Sequence, residues 1–170
     1  IKDDAVANAW CMPGGKVAVY TGIFPYTQDD DGLAVVMSHE IAHAIANHGN
    51  ERMSQAMLTQ LGEVALSSAL SNQPSRTKEL FQLSYGVASQ VGVLLPYSRL
   101  HESEADRIGL TLMAMAGYDP RAAVPFWLRM SEADGGRRPP ELLSTHPAPR
   151  SRIENIERFL PEALEHYQPR

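Results

Sequence analysis

The chain has 170 residues, 44% hydrophobic and 21% charged, with 15 Lys and Arg against 20 Asp and Glu and a single cysteine. That length suits one compact domain with a sizeable core, and one cysteine excludes both an internal disulfide and a cysteine-rich zinc site. A formal charge of −5 exerts no pull toward a phosphate backbone, which argues against nucleic acid as a partner.

No stretch reaches the ~18 uninterrupted apolar residues of a membrane span. The nearest, residues 87–95, is interrupted by Ser89, Gln90 and Gly92. The opening Ile1-Lys2-Asp3-Asp4 carries neither an initiator Met nor a signal-peptide pattern. The expectation is a single domain over residues 1–170, cut from a longer precursor.

Between Ala5 and Gly22, two short β-rich runs flank Pro13-Gly14-Gly15, which predicts a β-hairpin. Alternation puts Val17, Val19 and Thr21 on one face of its second strand, and Ala18 and Tyr20 on the other. Everything afterward reads as helix. Asp29-Asp30-Asp31 is an acidic start for a helix over 32–47, and further helices are predicted over 50–71 and 77–95. Ser98 offers an N-cap to a helix ending at Gly117, and Asp119-Pro120 opens another to residue 133. Residues 134–149 read as a loop, and a last helix covers 150–167 with a break near Pro161. The fold class is α+β, predominantly helical, with one small hairpin.

Chemistry concentrates in His39-Glu40-Ile41-Ala42-His43, an H-E-x-x-H pattern. Positions four apart on a helix lie about 40° from one another, so both imidazoles reach one ion. Glu40 lies about 100° round, placed to address a ligand on that ion without binding it. A catalytic zinc needs a third protein ligand and an open position. The class with a third His six residues on is excluded, because Gly49 stands there and Ala46 replaces its glycine. His48 faces away from His39 and reads as a surface or helix-end residue.

The third ligand is therefore sought in the helix beginning at Ser98. Ala105, Ile108, Gly109 and Leu112 define an apolar arc that includes Glu102 and Asp106, whereas Glu104 falls with Arg107 and Thr111 on the polar face. Two carboxylates on a buried face need a partner. Glu102 is assigned as third ligand, with Asp106 accepting the free N–H of a ligating imidazole. The alternative for Asp106 is a salt bridge to Arg99 or Arg107. His101 reads as a solvent-facing neighbour, and Met53, Met57, Leu61, Val64 and Leu66 as helical core positions, part of whose segment covers the cleft in an alternative reading. Cys11 reads as a small packed residue.

His39-Glu40-x-x-His43 paired with Glu102-x-x-x-Asp106 resembles the gluzincin branch of zinc metallopeptidases. Within it, Ser98-Arg99-x-x-Glu102-x-x-Ala105-Asp106, with Asn8-Ala9-Trp10 and Pro13-Gly14-Gly15 before, resembles the group of the CAAX prenyl endopeptidases and the HtpX and BepA quality-control proteases. The segment from Pro140 to His146-Pro147, with Arg152-Ile153, resembles the BepA-like enzymes and the overlapping-activity protease of mitochondrial inner membranes. The membrane spans of the prenyl endopeptidases and HtpX are missing, which points away from a prenyl-protein substrate.

The resemblance implies a zincin-like fold, one zinc ion per chain held by His39, His43 and Glu102, and peptide hydrolysis with Glu40 as general base. It implies that His146 approaches the zinc, as an inhibitory fourth ligand or as a transition-state donor; a loop histidine pinned by Pro147 is the structural alternative. It implies polypeptide substrates, misfolded or membrane-associated, bound along the strand from Lys16 to Thr21, for which a purely structural role is the alternative. It implies an extracytoplasmic location, periplasmic or membrane-associated, with peripheral membrane association left open. The competing function is a latent or non-catalytic zinc domain that binds unfolded chains as a holdase or adaptor.

Overall fold

The computed structural model describes residues 1–12, 14–134 and 140–170. Pro13 of the expected hairpin turn, and residues 135–139 of the expected loop, lie outside these. Strands β1 (Ala9–Met12) and β2 (Lys16–Val19) pair antiparallel, with Ala9 opposite Val19 and Met12 opposite Lys16. Gly14 and Gly15 turn the chain at φ +90° and +80°, a region that strains any residue with a Cβ. Thr21 lies beyond β2, in a 3₁₀ turn over Thr21–Ile23, so the expected alternation stops short of it. The Ile1 amine donates to the Val19 carbonyl, and the Thr21 N–H donates back to Ile1, so the first residue lines the end of β2.

The helices are α1 (Phe24–Thr27), α2 (Asp30–Ile45), α3 (His48–Ala69), α4 (Ser75–Ser89), α5 (Leu95–Met115), α6 (Ala123–Asp134), α7 (Glu141–Thr145) and α8 (Arg150–Leu164). The predominantly helical α+β class is therefore observed. Asp29 caps α2 by accepting from the Gly32 N–H at 2.8 Å, as its acidic start signal implied. Asn47, at φ +58°, interrupts the helical path between α2 and α3. Single-turn α1 and α7 have too few residues to show periodicity, and were missed.

Two expected helix breaks do not occur. Residues 90–94 form a π turn, with Leu95 N–H bonded to the Gln90 carbonyl, and carry α4 into α5 without an interruption at Pro96 or a cap at Ser98. Widening the turn by one residue relieves the proline clash. Pro161 likewise sits inside α8. It is exposed, as is Glu157 one turn earlier, so the carbonyl left without a donor faces water.

Contacts group the chain into two compact units, Ile1–Ala46 with Glu102–Arg170, and Asn47–His101. The first packs α2, α6, α8 and the later part of α5 around Phe126, Trp127, Met113, Met130 and Ile156. The second contains α3, α4, the π turn and the start of α5. There the expected core positions Met53, Met57, Leu61 and Val64 are 59–63% exposed, on a face of α3 that its packing against α4 and the π turn leaves uncovered. His48 stands at a helix end, as read, but is buried, and His101 is buried and not solvent-facing: their rings stack at 4.3 Å, and His101 Nε2 lies 2.8 Å from Glu51. Among the described residues no helix is long and apolar enough to cross a membrane.

Candidate active site

The site belongs to the first unit. Helix α2 carries His39, Glu40 and His43 on its last two turns, and α5 carries Glu102 and Asp106 one turn apart. His146 follows α7, its N–H bonded to the Leu142 carbonyl at 2.8 Å, which fixes the backbone that presents its ring. Helices α2 and α5 approach closely because Gly109 has no side chain: a Cβ there would lie 3.1 Å from the His39 nitrogen.

Ligand atoms of His39, His43, Glu102 and His146 lie within 4.8 Å of one another. His39 Nε2 is 3.0 Å from His43 Nε2 and 3.2 Å from His146 Nδ1. Glu102 is 3.3 Å from each of His39 and His43, and 2.9 Å from His146 Nδ1. The edges of a tetrahedron with metal–ligand bonds of about 2.1 Å are about 3.4 Å, so these spacings suit a zinc ion. The donor set is also right in kind, two or three imidazoles and one carboxylate. Glu40 Oε1 is buried without a hydrogen bond, 3.3 Å from His146 Nε2. Such an orphaned acceptor fits a site built to receive a further polar group.

Asp106 Oδ1 lies 3.0 Å from His39 Nδ1, on the side of the ring away from the cluster. Its salt bridge is neither to Arg99 nor to Arg107, since Arg107 pairs with Glu162. The partner is Arg152 on α8, which donates from Nε to Oδ2 and from Nη2 to Oδ1, both at 2.8 Å. Arg152 also donates from Nη1 to the carbonyls of His146 and Pro147, and its guanidinium lies 3.6 Å from the Trp127 ring centroid. Sequence reasoning assigned no role to Arg152 or Trp127. The available signal was an arginine sharing the buried face of α8 with Ile153 and Ile156, where a charge requires a partner.

Electrostatics divide the two imidazoles of α2. Burial pushes His39 down, but hydrogen bonds to Asp106 and then Glu102 outweigh it and hold it up at about 9. Burial holds His43 down at about 4, with Glu102 opposing. Burial raises Glu102, yet hydrogen bonds from His146, His39 and His43 leave it far below the usual carboxylate range. Burial likewise raises Asp106, and the charge of Arg152 overcomes it. Both carboxylates are thus ionised at neutral pH, as metal ligation and imidazole orientation require.

The profile of peptidase family M48 matches residues 1–160. Over 163 residues the chain is 43% identical to the mitochondrial metalloendopeptidase OMA1 of Schizosaccharomyces pombe, covering 94% of this chain and 45% of that protein. The human mitochondrial metalloendopeptidase OMA1 is 36% identical over 171 residues, 96% of this chain and 32% of its own length. The beta-barrel assembly-enhancing protease of Escherichia coli is 34% identical over 158 residues, 90% of this chain and 32% of its own. The chain spans less than half the length of these relatives.

Proposed function

The chain belongs to peptidase family M48, and from that premise we propose that it is a zinc-dependent endopeptidase of protein quality control. The observation that carries this reading is the convergence of His39, His43 and Glu102 beside a buried Glu40 oxygen that has no hydrogen bond. Those three residues would hold one zinc ion, with Asp106 fixing the His39 tautomer. Zinc bound there supplies Lewis-acid charge, which acidifies water and polarises a peptide carbonyl.

Glu40 takes a proton from the attacking water at Oε1 and passes it to the leaving amine. His146 acts as a fourth donor that keeps the site latent: its Nδ1 stands as close to His39 and Glu102 as the ligands stand to one another. Substrates are polypeptides, misfolded or membrane-associated, adding to the hairpin edge by main-chain hydrogen bonds. The names of the relatives, mitochondrial and β-barrel-assembly proteases, support an extracytoplasmic setting beside a membrane.

The test compares casein cleavage and zinc content in the native chain and Glu40→Gln, each also carrying His146→Ala. Every variant should hold about one zinc per chain, while Glu40→Gln lowers cleavage about 10²–10⁴-fold. Equal cleavage with and without Glu40 sinks the hydrolytic role. Zinc retained by every variant with cleavage by none, the native Glu40 chains included, favours the holdase or adaptor reading.

A further inference from the structure

Helices α3 and α4 form an antiparallel hairpin whose seam holds Gln55, Thr59, Gly62 and Leu66 of α3. Tyr85 donates its hydroxyl to the Thr59 carbonyl at 3.0 Å, across a gap that Gly62 keeps open: a Cβ on Gly62 would overlap that hydroxyl. The large apolar side chains point outward. On α3, Met57, Leu61 and Val64 are 59–63% exposed, and on α4, Leu80, Leu83 and Val87 are 57–67% exposed.

These positions are sided. At about 100° per residue, the apolar residues of α3 from Met53 to Val64 fill an arc of about 140°, opposite Arg52 and Glu63 and with Gln60 at its edge. On α4, Leu80, Phe81, Leu83 and Val87 fill about 160°, opposite Glu79, Gln82 and Gly86. With Gly62 and Tyr85 facing across the seam, both arcs turn to the same side of the pair. The hairpin is a layer with one polar face and one apolar face, and the apolar surface continues around its two outer backs.

Charge follows the same plan. No charged residue occurs in residues 80–98, and the second unit carries Arg52, Arg76, Lys78 and Arg99 against Glu51, Glu63 and Glu79, a net +1 in a chain of −5. Arg76 and Lys78 stand at the turn end of the hairpin, and Arg52 and Arg99 near its other end.

We propose that the apolar face of α3 and α4 is a membrane-docking surface that beds into the headgroup–acyl boundary of an anionic bilayer. A second copy of the chain would cover the broad face through a two-fold contact and leave the outer backs wet. A fluid acyl phase covers both, while Arg76 at the turn end and Arg99 near the other extend to lipid phosphates. The hairpin lies in the plane of the membrane, since neither helix is apolar enough to cross it. This deepens, and rests on, the membrane-side placement proposed above, not on the peptidase chemistry.

The experiment is co-sedimentation of the whole zinc-loaded chain with phosphatidylcholine vesicles, with and without phosphatidylglycerol, alongside light scattering in solution. The chain should bind the mixed vesicles, release with rising salt, and run as a monomer. Leu83→Glu, at a solvent-facing position, should weaken binding at least about tenfold while keeping helicity and casein cleavage, and Gln82→Glu on the polar face should leave binding unchanged. Absence of vesicle binding by the native chain overturns the surface and leaves the peptidase reading standing. A solution dimer that Leu83→Glu splits into monomers assigns the face to a second copy and also overturns it.

Discussion

The Arg152 guanidinium meets the Asp106 carboxylate through two parallel hydrogen bonds, both 2.8 Å, with both side chains nearly sealed from solvent. Asp106 in turn touches His39 Nδ1 at 3.0 Å, and Arg152 also donates to the consecutive carbonyls of His146 and Pro147. One arginine therefore holds both the carboxylate beside His39 and the segment that carries His146. Arg152→Met should leave the buried Asp106 carboxylate with His39 as its remaining partner, at a cost of up to about 3–5 kcal/mol in denaturant unfolding. It should also weaken zinc about 10–100-fold in chelator competition. Arg152→Lys keeps the charge but not the paired geometry, and should fall between the two.

Gly109 marks where α5 rests on the backbone of α2, with His39 and Ser38 atoms 3.1–3.2 Å from a would-be Cβ. Backbone cannot rotate away as a side-chain tip can, so Gly109→Ala should push the helices apart. Thermal or denaturant unfolding should register a loss of about 1–3 kcal/mol. Because the displaced residue is His39, zinc affinity should drop as well, which an alanine placed at exposed Gly86 should not cause.

His146→Ala removes the donor that closes the cluster. The expected result is zinc retained by the remaining three ligands and a rise in casein cleavage over the native chain. A fall in turnover with unchanged zinc content would instead make His146 a transition-state donor.

Zinc uptake should release protons in a predictable sense. In the metal-free chain His39 is held up at about 9 and His43 down at about 4, so at pH 7 the first is protonated and the second is not. A ligating nitrogen must be free of its proton, so binding at pH 7 should release about one. Apparent affinity should climb about tenfold per pH unit toward pH 9 and level off above it. Calorimetry in buffers of different ionisation enthalpy counts the proton directly. The same raised His39 stabilises the metal-free fold in full below its ordinary 6.5, and that contribution fades as pH rises through about 9.

The residues of the cluster were legible in the chain because local periodicity carries them. His39 and His43 are one helical turn apart, as are Glu102 and Asp106, and a helix puts such pairs on one face wherever it lies. His146 was legible only through resemblance, since α7 is a single turn with no period to read. The helix breaks at Pro96 and Pro161 were overcalled, because a π turn absorbed the first and solvent exposure the second.

Composition and spacing were enough to predict a predominantly helical α+β chain with a hairpin, and an H-E-x-x-H pattern with further carboxylates beside it. They left open what Asp106 pairs with, since Arg152 lies 46 residues away on a different helix and only packing brings them together. They also assigned the apolar stripe of α3 to a core. Periodicity reports that a helix has an apolar side, but whether another element covers it is decided by packing, which leaves this face of α3 uncovered. The acidic excess met in the composition divides in the same way: Glu40, Glu102 and Asp106 are buried or partly buried in one cluster, a placement that summed charge cannot express.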